Sequence, residues 1–383
     1  MAQSVISADS HMFEPANLWV GRLDARFKDR APRMEPVEGK PGVSLVAPGI
    51  RPFPIASLSA AGRSGEALKQ HYGSGYEAAR PSGWDPVERI KDQNVDGVCA
   101  EVLYTSLGMP LFGLADAELQ YHCFKVYNDW LAEFCSHNPK RLIGIALIAL
   151  NDIGQAVTEL ERSARAGLRG AMIWGFAPEG RPYSSREYEP FWAAAQDLGM
   201  PVSLHVITAG GGGGPSLRAS KEIAQSEKNA PGISIIGGYM FMTADVQQSL
   251  MVIVMSGVLE RFPRLKLVSA ENDTGWLPHF MYRLDHAYEK YGKLSGIRDF
   301  ELKPSDYLRR QLWATFQDDP TGTANFQFFG ADRYMWASDF PHTDSTWPHS
   351  QEVILRDFAG VPEEVTRKII CGNAASLYGI EVN

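Results

Sequence analysis

The sequence predicts a (β/α)8 barrel, and three observations predict it. Eight short apolar runs are spread along the 383 residues. Stretches with helical periodicity lie between most of them. Several runs end in Asp, Glu or His, and the C-terminal strand face is where such a barrel carries its chemistry. The runs are Val5–Ser10, Val95–Tyr104, Leu142–Leu150, Leu168–Gly175, Pro201–Val206, Leu265–Asn272, Gln311–Phe316 and Tyr334–Phe340. One barrel with insertions fills residues 1–383 as a single domain.

Each element has its own signal. Val5–Ala8 is short and leads straight into Asp9, so it reads as a core strand and not as a secretory signal. Residues 14–83 are rich in Pro, Gly, Arg and Ser and form an insertion before the first helix. Asp85-Pro86 is an N-cap followed by Pro at N1, opening a short helix through Val87, Ile90 and Lys91. Asp116–His137 places Leu119, Cys123, Val126, Trp130 and Phe134 at helical spacing. Asp152 caps Ile153–Ala166, which Gly167 ends, and Tyr188–Leu198 stops at Gly199. A second insertion, 207–242, follows the fifth strand and carries Gly210–Gly214. Thr243–Leu259, Trp276–Tyr291, Pro320–Gly330 and Gln351–Tyr378 supply the remaining helices, and Thr343–His349 is a loop after the eighth strand. Both insertions and this loop leave strand C-termini, where long loops act as lids or pocket walls.

Composition narrows the class. The chain is 44% hydrophobic and 21% charged, as ordinary globular proteins are. A net charge of −8 argues against a nucleic-acid partner. Every apolar run falls short of the roughly 20 residues that span a bilayer. Cys99, Cys123, Cys135 and Cys371 lack metal-site or redox spacing and read as free thiols, which suits a cytoplasmic protein.

The strand-end residues carry the chemistry. In Asp9-Ser10-His11, residues two apart in a strand share a side, so both side chains project into the barrel mouth. A divalent cation explains a carboxylate and an imidazole buried together; a structural Asp–His hydrogen bond is the plainer alternative. His205 ends the fifth strand, as a ligand or a satisfied core histidine, and Asp339 ends the eighth, as a ligand or an Asx turn. Glu271 closes the sixth strand as a general base, a supporting acid or a ligand to a second metal. His342 is a proton donor or an outer partner, and Glu14, Glu101, His279 and Asp344 are weaker candidates with salt-bridge alternatives.

Four segments, Asp9-Ser10-His11-Met12-Phe13-Glu14-Pro15, Ser203-Leu204-His205, Phe262-Pro263-Arg264-Leu265-Lys266-Leu267-Val268 and Ser338-Asp339-Phe340-Pro341-His342, resemble the amidohydrolase-related family. Specifically, they are similar to the branch with aminocarboxymuconate-semialdehyde decarboxylase and the resorcylate decarboxylases. The resemblance covers nearly the whole chain. It implies one divalent metal held by strands one, five and eight, here by Asp9, His11, His205 and Asp339. The family's decarboxylases open with His-x-His or Glu-x-His and end strand six in a catalytic His; this chain has Asp9-Ser10-His11 and Glu271.

The expectation is a metal-dependent enzyme that hydrolyses or decarboxylates a small molecule. Glu271 or His342 would move the proton, and the ion would be zinc, iron or manganese. An alternative makes Glu271, with Glu101 or His342, ligands to a second ion in a di-iron oxygenase. A metal-free binding protein is a further alternative. Tyr239, Met240, Phe241 and Met242, beyond the glycine run, suit an adaptable wall for a bulky apolar acid, ester or thioester, or else a loop covering the rim. Ser216, Arg218 and Lys221 could meet an anionic group on it. No membrane association is expected, and a homodimer is plausible from the resemblance.

Overall fold

Residues 4–209 and 217–382 are described by the computed structural model, with the side chains of 217–221 left aside. The barrel strands are β1 (Ile6–His11), β2 (Ala100–Tyr104), β3 (Leu142–Leu147), β4 (Gly170–Ile173), β5 (Val202–His205), β6 (Leu267–Ala270), β7 (Leu312–Phe316) and β8 (Tyr334–Trp336). They pair in parallel in that order, which is the predicted fold. The seam between β8 and β1 is drawn together just past the strand tips. Asp339 N–H donates to the Asp9 carbonyl at 3.0 Å and His11 N–H to the Phe340 carbonyl at 2.6 Å. Nearly every strand residue is buried, because side chains fill the barrel inside while helices cover it outside.

The helices follow their caps. Asp85, Asp116 and Asp152 accept N–H bonds from the first turns of Pro86–Asp96, Ala117–Ser136 and Ile153–Arg165. Three expectations need correction. Val95 lies in the first of these helices, which runs to Asp96 and is ended by a left-handed Gly97, so β2 starts only at Ala100. The stretch Gln351–Tyr378 is broken into Ser350–Asp357, Glu363–Arg367, a π-turn at Lys368–Gly372, and Asn373–Tyr378. Likewise Thr243–Leu259 divides into Thr243–Met255 and Val258–Arg261 at a left-handed Gly257.

The first insertion contains a small antiparallel sheet of Arg33–Glu35, Ser44–Val46 and Phe53–Pro54. The second includes a helix at Ile233–Phe241. Gly210–Gly214 and Ser216 lie outside the described residues, as do the side chains of Arg218 and Lys221. Cys123, Cys135 and Cys371 are buried free thiols and Cys99 is a half-buried one. Among the described residues no helix is long and apolar enough to cross a membrane.

Candidate metal centre

The predicted strand-end residues come together. Asp9 and His11 stand on β1, His205 on β5, Glu271 one residue past β6, and Asp339 and His342 after β8. Their donor atoms form two overlapping groups. His11, Glu271, Asp339 and His342 make one; Asp9, His11 and His205 make the other; within each, the atoms lie within 4.8 Å of one another. All but Glu271 are buried almost completely, and its side chain is 14% exposed.

Hydrogen bonds aim these groups at one point. His11 Nδ1 lies 2.8 Å from the Thr105 carbonyl and His205 Nδ1 lies 3.0 Å from the Val206 carbonyl. A carbonyl only accepts, so each Nδ1 carries hydrogen, and a ring made neutral by an ion would offer its Nε2 lone pair to the centre. Thr315 donates to Asp9 Oδ2 at 2.8 Å and accepts the Glu271 N–H at 2.8 Å, which leaves Asp9 Oδ1 turned to the centre. His11 Nε2 then stands 3.1 Å from Glu271 Oε2, 3.4 Å from Asp339 Oδ1 and 3.5 Å from Asp9 Oδ1. His205 Nε2 is 3.3 Å from Glu271 Oε2 and 3.8 Å from Asp9 Oδ1.

The arrangement fits a cation. Asp9 Oδ1, His205 Nε2 and both Asp339 oxygens are buried and make no hydrogen bond among the described residues. Buried polar atoms are costly when left unpaired. Atoms held about 2.1 Å from one ion stand roughly 3.0–3.4 Å apart, close to the separations here. In the protein alone the crowding shifts protons. Burial and then the Asp339 carboxylate push Glu271 up to about 8. Burial and then Asp9 hold Asp339 well above the carboxylate range. Burial would lower His205, but the Asp9 and Glu271 carboxylates outweigh it and bring the imidazole up to about 9. Burial and the neighbouring imidazoles His342 and His205 push His11 well down. A divalent ion would relieve the carboxylate crowding that raises these acids.

The backbone is unusual at two of these residues. Glu271 and Asp339 are non-glycine residues in the left-handed region, at φ 54° each. Such conformations persist where the surroundings over-determine them, commonly at functional sites. His342 is held on two sides: its Nδ1 lies 3.0 Å from Asp339 Oδ1 and its Nε2 2.8 Å from Ser106 Oγ. Its ring centroid is 3.9 Å from that of His11.

Other candidates are placed elsewhere. Glu101 does not reach the centre: it is paired to Arg89 through two bonds, of 2.6 and 3.0 Å, which removes it as a second-ion ligand. Glu14 accepts the Thr105 hydroxyl and the Leu107 N–H, and burial pushes it up to about 7. His279 lies on the helix Leu277–Tyr291, outside both donor groups. Tyr239 donates to Asp344 at 2.5 Å, while Met240 and Phe241 face solvent. Ser106, Thr105 and Thr315 were missed because a Ser or Thr near a strand end carries no signal apart from strand propensity.

Comparison with known proteins agrees with this architecture. A family model described as Amidohydrolase matches residues 48–380. The gamma-resorcylate decarboxylase of Polaromonas sp. (strain JS666) is 25% identical over 301 residues, covering 76% of this chain and 86% of its own length. An amidohydrolase structure from Mycobacterium avium subsp. paratuberculosis K-10 superposes with a TM-score of 0.79 at 21% identity, covering 100% of this chain and 99% of the other. A dihydroxybenzoic acid decarboxylase from Polaromonas sp. JS666, solved with manganese and 2-nitroresorcinol, gives 0.66 at 18% identity, over 100% and 98%.

Proposed function

Since the chain belongs to the amidohydrolase family, we propose that it is a metal-dependent carboxy-lyase that decarboxylates a largely apolar, aromatic-type acid. The observation that carries the metal dependence is the convergence of buried, hydrogen-bond-free Asp9 Oδ1, His205 Nε2 and Asp339 oxygens on the Nε2 of His11. Decarboxylation is favoured over hydrolysis by the likeness to gamma-resorcylate decarboxylase.

Asp9, His11, His205 and Asp339 would hold the ion. When bound, it would supply Lewis acidity to orient and polarise the substrate carboxylate. The protein's part is proton placement. Glu271 is the most exposed member of the cluster, its side chain 14% exposed. As the bond to the carboxylate carbon breaks and its electron pair stays on the remaining carbon, Glu271 or His342 delivers the proton there. The Ser106 hydroxyl, 2.8 Å from Nε2, holds the His342 ring.

The test is incubation of the manganese-loaded enzyme with hydroxybenzoic acids in deuterium oxide. Release of carbon dioxide with one deuterium on the vacated ring carbon supports the reading. Ester or amide cleavage with no carbon dioxide from any acid would replace it with hydrolysis.

One observation favours a second reading. Glu271 and His342 bring the donor side chains to six, more than the four a single ion needs. Two irons per chain and consumption of dioxygen would make the protein a dinuclear oxygenase, with Glu271 and His342 as ligands.

A further inference from the structure

We propose that Arg89 is a positioning residue for the metal centre, holding together the two backbone segments that carry its ligands. This rests on the metal-centre reading above. Arg89 sits in the first turn of the helix Pro86–Asp96, whose N-cap is Asp85, and its side chain is fully buried. A buried guanidinium needs partners for its five N–H groups.

Two partners are the carboxylate oxygens of Glu101 on β2, met by Nε at 2.6 Å and by Nη2 at 3.0 Å. The other two are main-chain carbonyls at the metal centre. Nη1 donates to the carbonyl of His11, a ligand residue, at 2.7 Å. Nη2 donates to the carbonyl of Phe340, directly after the ligand Asp339, at 3.4 Å. The guanidinium also lies over the Phe340 ring, 4.8 Å from its centroid. Gln93, one turn along the helix, donates to Glu101 Oε2 at 2.7 Å and steadies the anchor.

The placement matters because of where the ladder ends. β8 stops at Trp336, yet Asp339 and His342 lie beyond it, past the last ladder bonds. One planar group therefore joins the strand between β1 and β3 to the tip of β1 and the loop after β8, adding to the two main-chain bonds that close that seam. A lysine has the charge but not the planar fork, so it cannot serve Glu101 and both carbonyls together.

The test separates positioning from folding. Manganese(II) affinity is measured by titration on the full chain for the parent, Arg89→Lys and Glu101→Asp, with the melting temperature of each stripped protein recorded alongside. The expected result is manganese affinity weakened about 10- to 100-fold in folded Arg89→Lys, the usual effect of losing a group that orients a ligand. Glu101→Asp, which keeps both charges and shortens the anchor by one methylene, should show a smaller loss in the same direction. A lower melting temperature with parental manganese affinity in Arg89→Lys overturns the proposal and leaves Arg89 a packing residue. If Arg89→Lys does not fold, parental affinity in Glu101→Asp overturns it. A parent that binds neither manganese nor zinc removes the metal-centre reading, and this inference with it.

Discussion

At the scale of single residues, Glu271 is where this chain departs from what its family resemblance implies, and its surroundings give it a measurable signature. In the stripped protein its folded value is about 8, against an ordinary 4.5, because burial and Asp339 disfavour its charge. His205 is raised to about 9 by Asp9 and Glu271 acting against burial. Between pH 7 and 9 both groups hold more proton in the folded state than in the unfolded one, so stability falls as pH rises. The lowered His11 and His342 act mainly below the ordinary histidine value of 6.5, outside that window. The stripped enzyme is therefore expected to lose melting temperature from pH 7 to 9, and Glu271→Gln should flatten the slope. An equal slope in both proteins would mean that Glu271 is already ionised. With metal present, Glu271→Gln should keep about one ion per chain while turnover falls at least 100-fold, the scale of losing a general acid. Loss of an ion from an initial two would instead make Glu271 a ligand. Asp339→Asn should release the metal outright, measured by elemental analysis after dialysis, because a neutral amide in that left-handed position supplies neither the charge nor a second equivalent oxygen.

At the scale of elements, the tips of β4 and β5 show how closely the strand that carries His205 is fitted to its neighbour. A Cβ added at Gly175 would lie 2.2 Å from the carbonyl oxygen of His205, and Thr208 donates to that same carbonyl at 2.7 Å. Gly175→Ala therefore has to push His205 aside. It is expected to cost about 1–3 kcal/mol in denaturant unfolding, as overpacking does, and to weaken metal binding as well. A stable Gly175→Ala protein with parental metal affinity would show that β5 yields without disturbing its ligand. This fitting also explains what sequence discloses. The strands are legible because buried parallel strands are continuous apolar runs, and the candidate metal residues because polar residues end those runs. The β2 boundary is misplaced because Val95-Asp96-Gly97-Val98 suits either a strand start or a helix end, and only the left-handed Gly97 decides it. Pro304–Gln311 goes unseen because its strongly polar stretch hides the buried Tyr307 and Leu308. Arg89 is hidden for a different reason: an arginine in a first helical turn looks like solvated charge until β1, β2 and the loop after β8 are folded around it.

At the scale of the whole molecule, a buried metal centre of the kind proposed needs a route to solvent, and three segments above the barrel mouth are joined by one contact network. Tyr239, on the helix Ile233–Phe241, donates to Asp344 at 2.5 Å, and Gln317 donates to the same Asp344 oxygen at 3.2 Å. The network links the insertion after β5, the tip of β7 and the loop after β8. Ile235, Ile236 and Met240 on this helix are exposed, so its apolar side chains contribute little to holding it down. The Tyr239 bond is one described tie across the mouth. A hydrogen bond to a charged group on a partly exposed surface contributes about 1 kcal/mol, a shift of about five-fold in an open–closed equilibrium. Tyr239→Phe keeps the ring and removes the bond. It is expected to speed metal loss to excess chelator about five-fold while leaving the melting temperature within a few degrees, since the barrel core is untouched. Bulky acids should show a larger change in kcat/KM than small ones if this segment also walls the substrate. Chelator kinetics identical to the parent's would place the route to the metal elsewhere.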